Sequence, residues 1–392
     1  MALRKRSLMR ILLFCVLLTF GVSCLFLLRS FGQSDHDVRL REQLHADASS
    51  PKLILQWSNI FGNELPQAVM EECSPPLQKS CSISADRSRL NEASAVVFHI
   101  SEWDLRTAGL PKSKDRSYRQ LYVFMTMEAP PSHSRTVIAA FPPNFFNITM
   151  TYRRDSDVPY PYGGYWVQPQ DAKRLGFMAE QLPYDEKTIL KSKSKSIFWL
   201  VSNCATPSKR EVAVEKLSRH IGVDIFGKCA SNETMRNACK RNEECEQKMA
   251  AEYYFFIAAE NCICKDYVTE KYWDRYGWPI VPIVMRRHIY ERLLPPKSFI
   301  AMDDFGSAEQ MANYLGQLMS NKSAYMEYFA WRSTGWARPW QKPPYRVAYC
   351  KLCERLYEDT SPSSIENVEK WFYDTAECEG PQFADSWPEL DG

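Results

Sequence analysis

Charge of neither sign is in excess. Lysine and arginine number 49 against 47 aspartates and glutamates, a net charge of +2, which argues against nucleic acid as the main partner. No internal repeat is evident, and a chain of 392 residues is too long for one core, so two domains are expected. The 13 cysteines come without the histidine or acidic pattern that a zinc site needs, which disfavours a metal among them. Aromatic side chains, by contrast, are generous at 13%. That suits sugar stacking as well as plain packing.

The N-terminus carries the longest apolar run. MALRKRSLMR (1–10) holds four basic side chains, and Ile11 to Leu28 then run 18 residues without charge, just long enough to span a bilayer. The preceding basic excess puts the N-terminus in the cytosol and everything after Leu28 in the lumen, a single-pass type II arrangement. A cleaved signal peptide is the competing reading, but no convincing A-x-A site follows the run. Residues 29–50 are polar, lack a sustained apolar period and read as a flexible stem, with a helical extension of the anchor as the alternative. Three sequons, at Asn147, Asn232 and Asn321, suit a lumenal, glycosylated region. Eleven cysteines lie beyond the anchor, and an odd count leaves at least one thiol free or paired between chains.

The stretch Tyr253 to Met285 organises the rest. An apolar run of strand length (YYFFIA) is followed by a short amphipathic segment and a second apolar run (PIVPIVM), a βαβ unit of a parallel sheet. Asp266 and Thr269 are candidate N-caps of a crossover helix of about a dozen residues; Gly277 and Pro279 end it. Glu260, Asn261, Tyr267, Thr269, Glu270 and Lys271 crowd the joint between strand and helix, where open α/β sheets bind ligands. A lysine in a first helical turn opposes the macrodipole, so a phosphate explains Lys271 better than helix stability does. Glu270 is placed to bond a ribose diol. The plain alternative is a solvated first turn.

Upstream, apolar runs at Lys52–Trp57, Ala95–Ile100, Gln120–Phe124 and Thr136–Ala140 read as parallel strands of a first domain over 51–190. Glu128 follows one of them, in a proline-stiffened turn (EAPP) that can aim a carboxylate into a cleft. A basic, serine-rich run near Lys187–Ser196 marks the crossing into a second domain over 191–350. There the strand IFWLVSN leads to Ser202, Asn203, Lys209 and Arg210 at a strand–helix turn, again a nucleotide-site arrangement. Arginine suits bidentate phosphate contact and lysine a point charge. A strand near Phe299 and helices over Ala308–Leu318 and Ser323–Trp331 complete this domain. The tail (351–392) is polar and carries no assigned role.

AENCICKDYVTEKYW resembles the signature of the Golgi α1,3/α1,4-fucosyltransferase family. MEAPPSH (127–133), FNITMTYRRDSD (146–157) followed by PYG, and the segment from Tyr290 to Phe305 are similar to further family motifs. Ala129 stands for a serine and Ile148 for a tryptophan of the pattern. The resemblance covers most of Trp57–Cys353 and is absent from anchor and stem. It implies two Rossmann-like domains facing across a cleft (the GT-B arrangement), a Golgi membrane location, and transfer of L-fucose from GDP-fucose to a GlcNAc hydroxyl of a glycan.

Glu128 is then the general base. Arg210 meets the pyrophosphate, with Lys209 as fallback, and Ser202, Asn203, Asn261, Tyr267, Thr269, Glu270 and Lys271 bind the donor. Phe256 occupies a family tyrosine position, which removes one hydroxyl contact. No metal is required, although a divalent ion such as Mn could stimulate. Asp155 and Asp157 invite a D-x-D metal reading, against which stands neutralisation by the flanking arginines. Family likeness also marks Cys73, Cys81, Cys350 and Cys353 as disulfide formers. Cross-pairing of the early and late cysteines would restrict the unfolded chain more than a strained C-x-x-C bridge. The acceptor is open between peripheral LacNAc or LacdiNAc and the N-glycan core, and an inactive carbohydrate-binding relative is the rival from another class.

Overall fold

The computed structural model describes residues 51–100, 109–117, 119–241, 243–338, 344–358 and 363–390. The anchor and stem expected over 1–50 lie outside the described residues. Among those described, no helix is long and apolar enough to cross a membrane.

Two five-stranded sheets, parallel throughout, organise the chain. The first holds β1 (Lys52–Gln56), β2 (Cys81–Ser84), β3 (Ala93–His99), β4 (Leu121–Thr126) and β5 (Ile148–Thr151), in the order β2-β1-β3-β4-β5. The second holds β6 (Lys195–Leu200), β7 (Val223–Phe226), β8 (Tyr253–Ile257), β9 (Val281–Val284) and β10 (Ile300–Ala301), in the order β10-β9-β8-β6-β7. Counted from β7, the second repeats the order of the first. Each sheet therefore reverses its winding between its first and third strands, where doubly wound folds open a crevice for ligands. The strands are apolar on both faces because both faces are covered. Val96, Val97, Phe98, Val123, Phe124 and Met125 are all buried.

The run Thr136–Ala140, expected as a strand, is instead a short helix, α1 (Arg135–Ala139), and the place beside β4 goes to β5. The apolar run was too short to fix its own state, and burial of Ile138 among Val368 and Phe372 decided it. In the second half, α2 (Arg210–Ser218) follows β6 and α3 (Glu244–Glu252) precedes β8. The long crossover helix expected after Asp266 shrinks to one turn, α4 (Glu270–Trp273), capped by Thr269 alone. Asp266 has a left-handed φ of 62° and accepts the Arg154 amide instead. Beyond β10, α5 (Ala308–Ser320) covers the sheet with Met311 and Leu315.

The C-terminal part departs from expectation. Helix α6 (Pro344–Tyr357) returns to the first sheet with Tyr349 and Leu352, although the division at residue 350 split it between the second domain and the tail. There Cys73 bonds Cys350 and Cys81 bonds Cys353, the cross-paired arrangement. The tail is not loose. Helix α7 (Val368–Asp374) packs Phe372 against Phe124, Cys378 bonds Cys264, and α8 (Gln382–Ser386) leads Trp387 into the second core. Its few apolar residues recur at helical spacing inside a polar sequence, and that stripe docks it.

Two more disulfides, Cys204–Cys229 and Cys239–Cys245, fall in the second half. Cys262 is the free thiol among the described residues, buried at Ser132. The sequon side chain of Asn147 is half-buried and engaged within the protein. Its Oδ1 accepts from the Tyr122 amide and from Arg116, and its Nδ2 donates to the Ser363 carbonyl. Asn232 and Asn321 are exposed helix N-caps that use only Oδ1.

Candidate functional site

A cavity of about 560 Å³ opens between the two sheets at their strand carboxyl ends. Glu128, Ser202, Asn203, Arg210, Asn261, Tyr267, Glu270 and Lys271 all line it, so the structure brings together residues spread over 144 positions of sequence. Thr269 and Lys209 do not line it.

Glu128 stands at the end of β4, its amide bonded to Thr126 Oγ1. Both carboxylate oxygens accept phenols: Tyr162 donates to Oε1 and Tyr267 to Oε2, each at 2.9 Å. Burial, followed by the negative charge of Glu128, holds the Tyr162 hydroxyl far above the ordinary phenol range. Burial likewise holds Tyr267 protonated. Both therefore act as donors, and the carboxylate is the acceptor. Behind them, burial pushes His133 down to about 4, so this ring is neutral at pH 7.

The opposite wall is cationic. Arg210 opens α2, almost wholly buried, with its Nη atoms donating to the carbonyls of Ala259 and Asn203. Its Nε is buried without a partner among the described residues. An orphaned guanidinium nitrogen beside a cavity marks a place for an anion. Burial lowers its pKa, yet a guanidinium stays charged at neutral pH. Ser202 and Asn203 extend this wall, their loop stapled to the strand-β7 loop by Cys204–Cys229.

Lys271 does not wait as a bare cation. Its Nζ lies 2.9 Å from Glu260 Oε2 and 3.4 Å from Glu270 Oε1, and bonds Thr269 Oγ1 at 2.8 Å. Thr269 thus sits behind the cavity and serves it indirectly. Its amide and hydroxyl hold the two oxygens of buried Glu260, which in turn faces Lys271. Burial raises Glu260 above the usual carboxylate range despite Lys271. Glu270 goes the other way: burial opposes ionisation, but Lys271 and Arg241 outweigh it. Asn261 accepts from Tyr267 and donates towards Ser132, which ties the two walls together.

Sequence reasoning missed several lining residues. Tyr162 lay in the PYG segment likened to the family but was given no role of its own. Lys228, Arg236, Lys240, Arg241 and Arg275 are scattered and gave no motif, yet they give the cavity its positive wall. Lys209 is turned outward and pairs with Asp385. Phe256 lines the cavity and stacks on Phe198.

The D-x-D carboxylates are both engaged within the protein. Arg153, fully buried, holds Asp155 through both oxygens, and Lys265 adds a third contact. Asp157 accepts from the amide and hydroxyl of Thr149. These carboxylates are committed to the turn after β5. No group of three or more ligating side chains suited to a metal occurs among the described residues.

Known proteins resemble this chain over most of its length. Residues 49–163 match the fucosyltransferase N-terminal domain, and residues 190–371 match the glycosyltransferase family 10 (fucosyltransferase) C-terminal domain. An alpha-(1,3)-fucosyltransferase of Caenorhabditis elegans, fut-5, is 32% identical over 341 residues, 84% of this chain and 85% of that one. The 4-galactosyl-N-acetylglucosaminide 3-alpha-L-fucosyltransferase FUT5 of Homo sapiens is 32% identical over 346 residues, 85% of this chain and 83% of its own. A crystal structure of an alpha1,3-fucosyltransferase with GDP-fucose superposes with a TM-score of 0.50 at 17% identity, over 80% of this chain and 93% of that one. That likeness is one of fold, a GT-B-like pairing of parallel sheets. With both domain matches in tandem and full-length relatives above 30% identity, this chain belongs to the glycosyltransferase family 10 fucosyltransferases.

Proposed function

We propose that the protein transfers L-fucose from GDP-β-L-fucose, with inversion, to the 3-hydroxyl of a GlcNAc in glycan chains of glycoproteins or glycolipids. The observation that carries this is the opposition of one carboxylate to a cationic wall across a single cavity. Glu128, on the first sheet's side, takes the proton of the acceptor hydroxyl as its oxygen forms the bond to fucose C1. The C1–O bond to GDP breaks, and its electron pair leaves with the diphosphate. Arg210 and Lys271 balance that charge, with the amides opening α2 beside them.

Ser202, Asn203, Asn261, Tyr267 and Glu270 hold the donor, and Thr269 acts on it through Glu260 and Lys271. The first domain would then present the acceptor and the second GDP-fucose. Side-chain cations balance the leaving-group charge, so a divalent ion such as Mn enters as a stimulant rather than a requirement. The apolar run at 11–28 supports a type II anchor with the catalytic part in the Golgi lumen. The acceptor GlcNAc belongs to a LacNAc- or LacdiNAc-type chain or to the N-glycan core, and the assay below separates them.

The test is an assay of GDP release and acceptor mass gain over core N-glycan, LacNAc and LacdiNAc, with Glu128→Gln in parallel. Transfer to one acceptor class, lost in the variant while GDP still binds, supports the reading. Transfer surviving in Glu128→Gln removes the base assignment, and a folded protein that binds no GDP removes the donor site.

A further inference from the structure

Glu128 is unusual in that its two oxygens are each claimed by a phenol, and the phenols come from different halves of the molecule. Tyr267 follows β8, is fully buried, and is anchored a second time through Asn261. Tyr162 follows β5, is only half-buried, and lines the cavity itself. The two rings meet edge to face with centroids 6.0 Å apart.

What fixes Tyr162 is its neighbour. A Cβ built on Gly163 would lie 1.9 Å from Cδ2 of Trp273 in α4, so the backbone there is pressed against the second half and only glycine fits. The close approach delivers the Tyr162 hydroxyl to Oε1 at 2.9 Å.

A carboxylate oxygen has two lone pairs, so a phenol on each leaves one free for an incoming hydroxyl. Hydrogen bonds donated to the ionised form also favour that form. We propose that Tyr162 is a positioning residue for the transfer reaction, its hydroxyl holding Glu128 aimed into the cavity while Tyr267 fixes the other oxygen. The inference rests on the reading of Glu128 as the base.

Other titratable groups share the site with Glu128, among them Glu260 behind Lys271, which burial raises above the usual carboxylate range. His133, from the same turn, is neutral above about 4. The Cys262 thiol, after β8, is pushed up by burial to about 11. Glu270, at the start of α4, is held below the usual range by Lys271 and Arg241 against its burial. Tyr267 stays protonated.

The experiment compares pH profiles of kcat/KM for the acceptor in the full chain, for the native enzyme and for Tyr162→Phe, with GDP affinity measured alongside. Loss of one donated hydrogen bond should raise the acid limb by about one pH unit and lower kcat, with GDP affinity unchanged. Tyr152→Phe is the control. Its ring packs on Tyr267 at 5.0 Å, but its hydroxyl has no partner among the described residues, so its limb should stay where the native one is. Fluorotyrosine at 162, a stronger donor of the same shape, should move the limb down and keeps the test alive if the phenylalanine variant fails to fold. An acid limb unmoved by either change at 162, in enzyme that still binds GDP, overturns the proposal. Transfer surviving in Glu128→Gln overturns the base reading instead, so the two failures are distinguishable.

Discussion

Replacing Lys271 by methionine should reveal a pH-dependent instability centred on Glu260. Glu260 is buried at 4% exposure, held by the amide and hydroxyl of Thr269, and Lys271 is its nearby cation at 2.9 Å. Burial already raises its pKa above 4.5 in the native protein, with Lys271 opposing that rise. Methionine removes the opposition, and the folded-state pKa climbs further.

A folded pKa above the unfolded one makes a contribution that is intact below the unfolded pKa and lost as pH rises through the folded one. The stability deficit of Lys271→Met should thus be small near pH 4 and grow by about 1.4 kcal/mol per pH unit through the interval. It should level off at about 3 kcal/mol, the low end for stripping one partner from a buried pair, since the two Thr269 bonds persist. Urea unfolding at pH 4.5, 6 and 8 measures it, and Glu260→Gln closes the double-mutant cycle. The double variant should recover much of the deficit at pH 8. A deficit equal at all three pH values, or strict additivity of the two changes, would refute the pairing as the cause.

Gly163→Ala should destabilise by about 1–3 kcal/mol from overpacking and should also lower transfer, because the new methyl meets Trp273 at 1.9 Å; thermal unfolding plus a transfer assay checks both. Removing Cys73–Cys350 and Cys81–Cys353 together frees sequence spans of 277 and 272 residues, and should cost at least about 4 kcal/mol on the chain-entropy account. Protease digestion would then begin in α6, whereas an unchanged cleavage pattern would count against α6 being held by those bonds. Among the sequons, Asn232→Gln and Asn321→Gln should each remove one glycan mass from protein made in the secretory pathway. Asn147→Gln should remove none but lower the melting temperature, since Asn147 bridges Arg116, the Tyr122 amide and the Ser363 carbonyl.

Much was legible in the chain because it depended on local order. Strands such as LYVFMT run apolar over successive positions up to Thr126, as the doubly covered strands of a parallel sheet do. The Thr269 cap and the crowding of polar groups after YYFFIA lie within a few residues of each other, and so mark their own turn. The D-x-D shows where such reading stops. Its residue types fit a metal as well as a turn, and only the burial of Arg153 against Asp155 chose between them. The short run at Thr136–Ala140 stops in the same way, since five residues do not distinguish helix from strand until Val368 and Phe372 arrive from the far end of the chain.

The amino-acid order by itself determined the two doubly wound halves, the family, and the positions of Glu128, Arg210 and Lys271, because each is carried by contiguous patterns of a few residues. Tertiary structure alone decided who meets whom. It set Lys271 beside Glu260 as well as on the cavity wall, and it brought Tyr162 to Glu128 across 34 positions. It also sent the polar tail back over both cores through Cys264–Cys378. Hydrogen bonds and ion pairs act over about 3 Å, and the distances that matter at this site arise only once the two sheets have closed on each other.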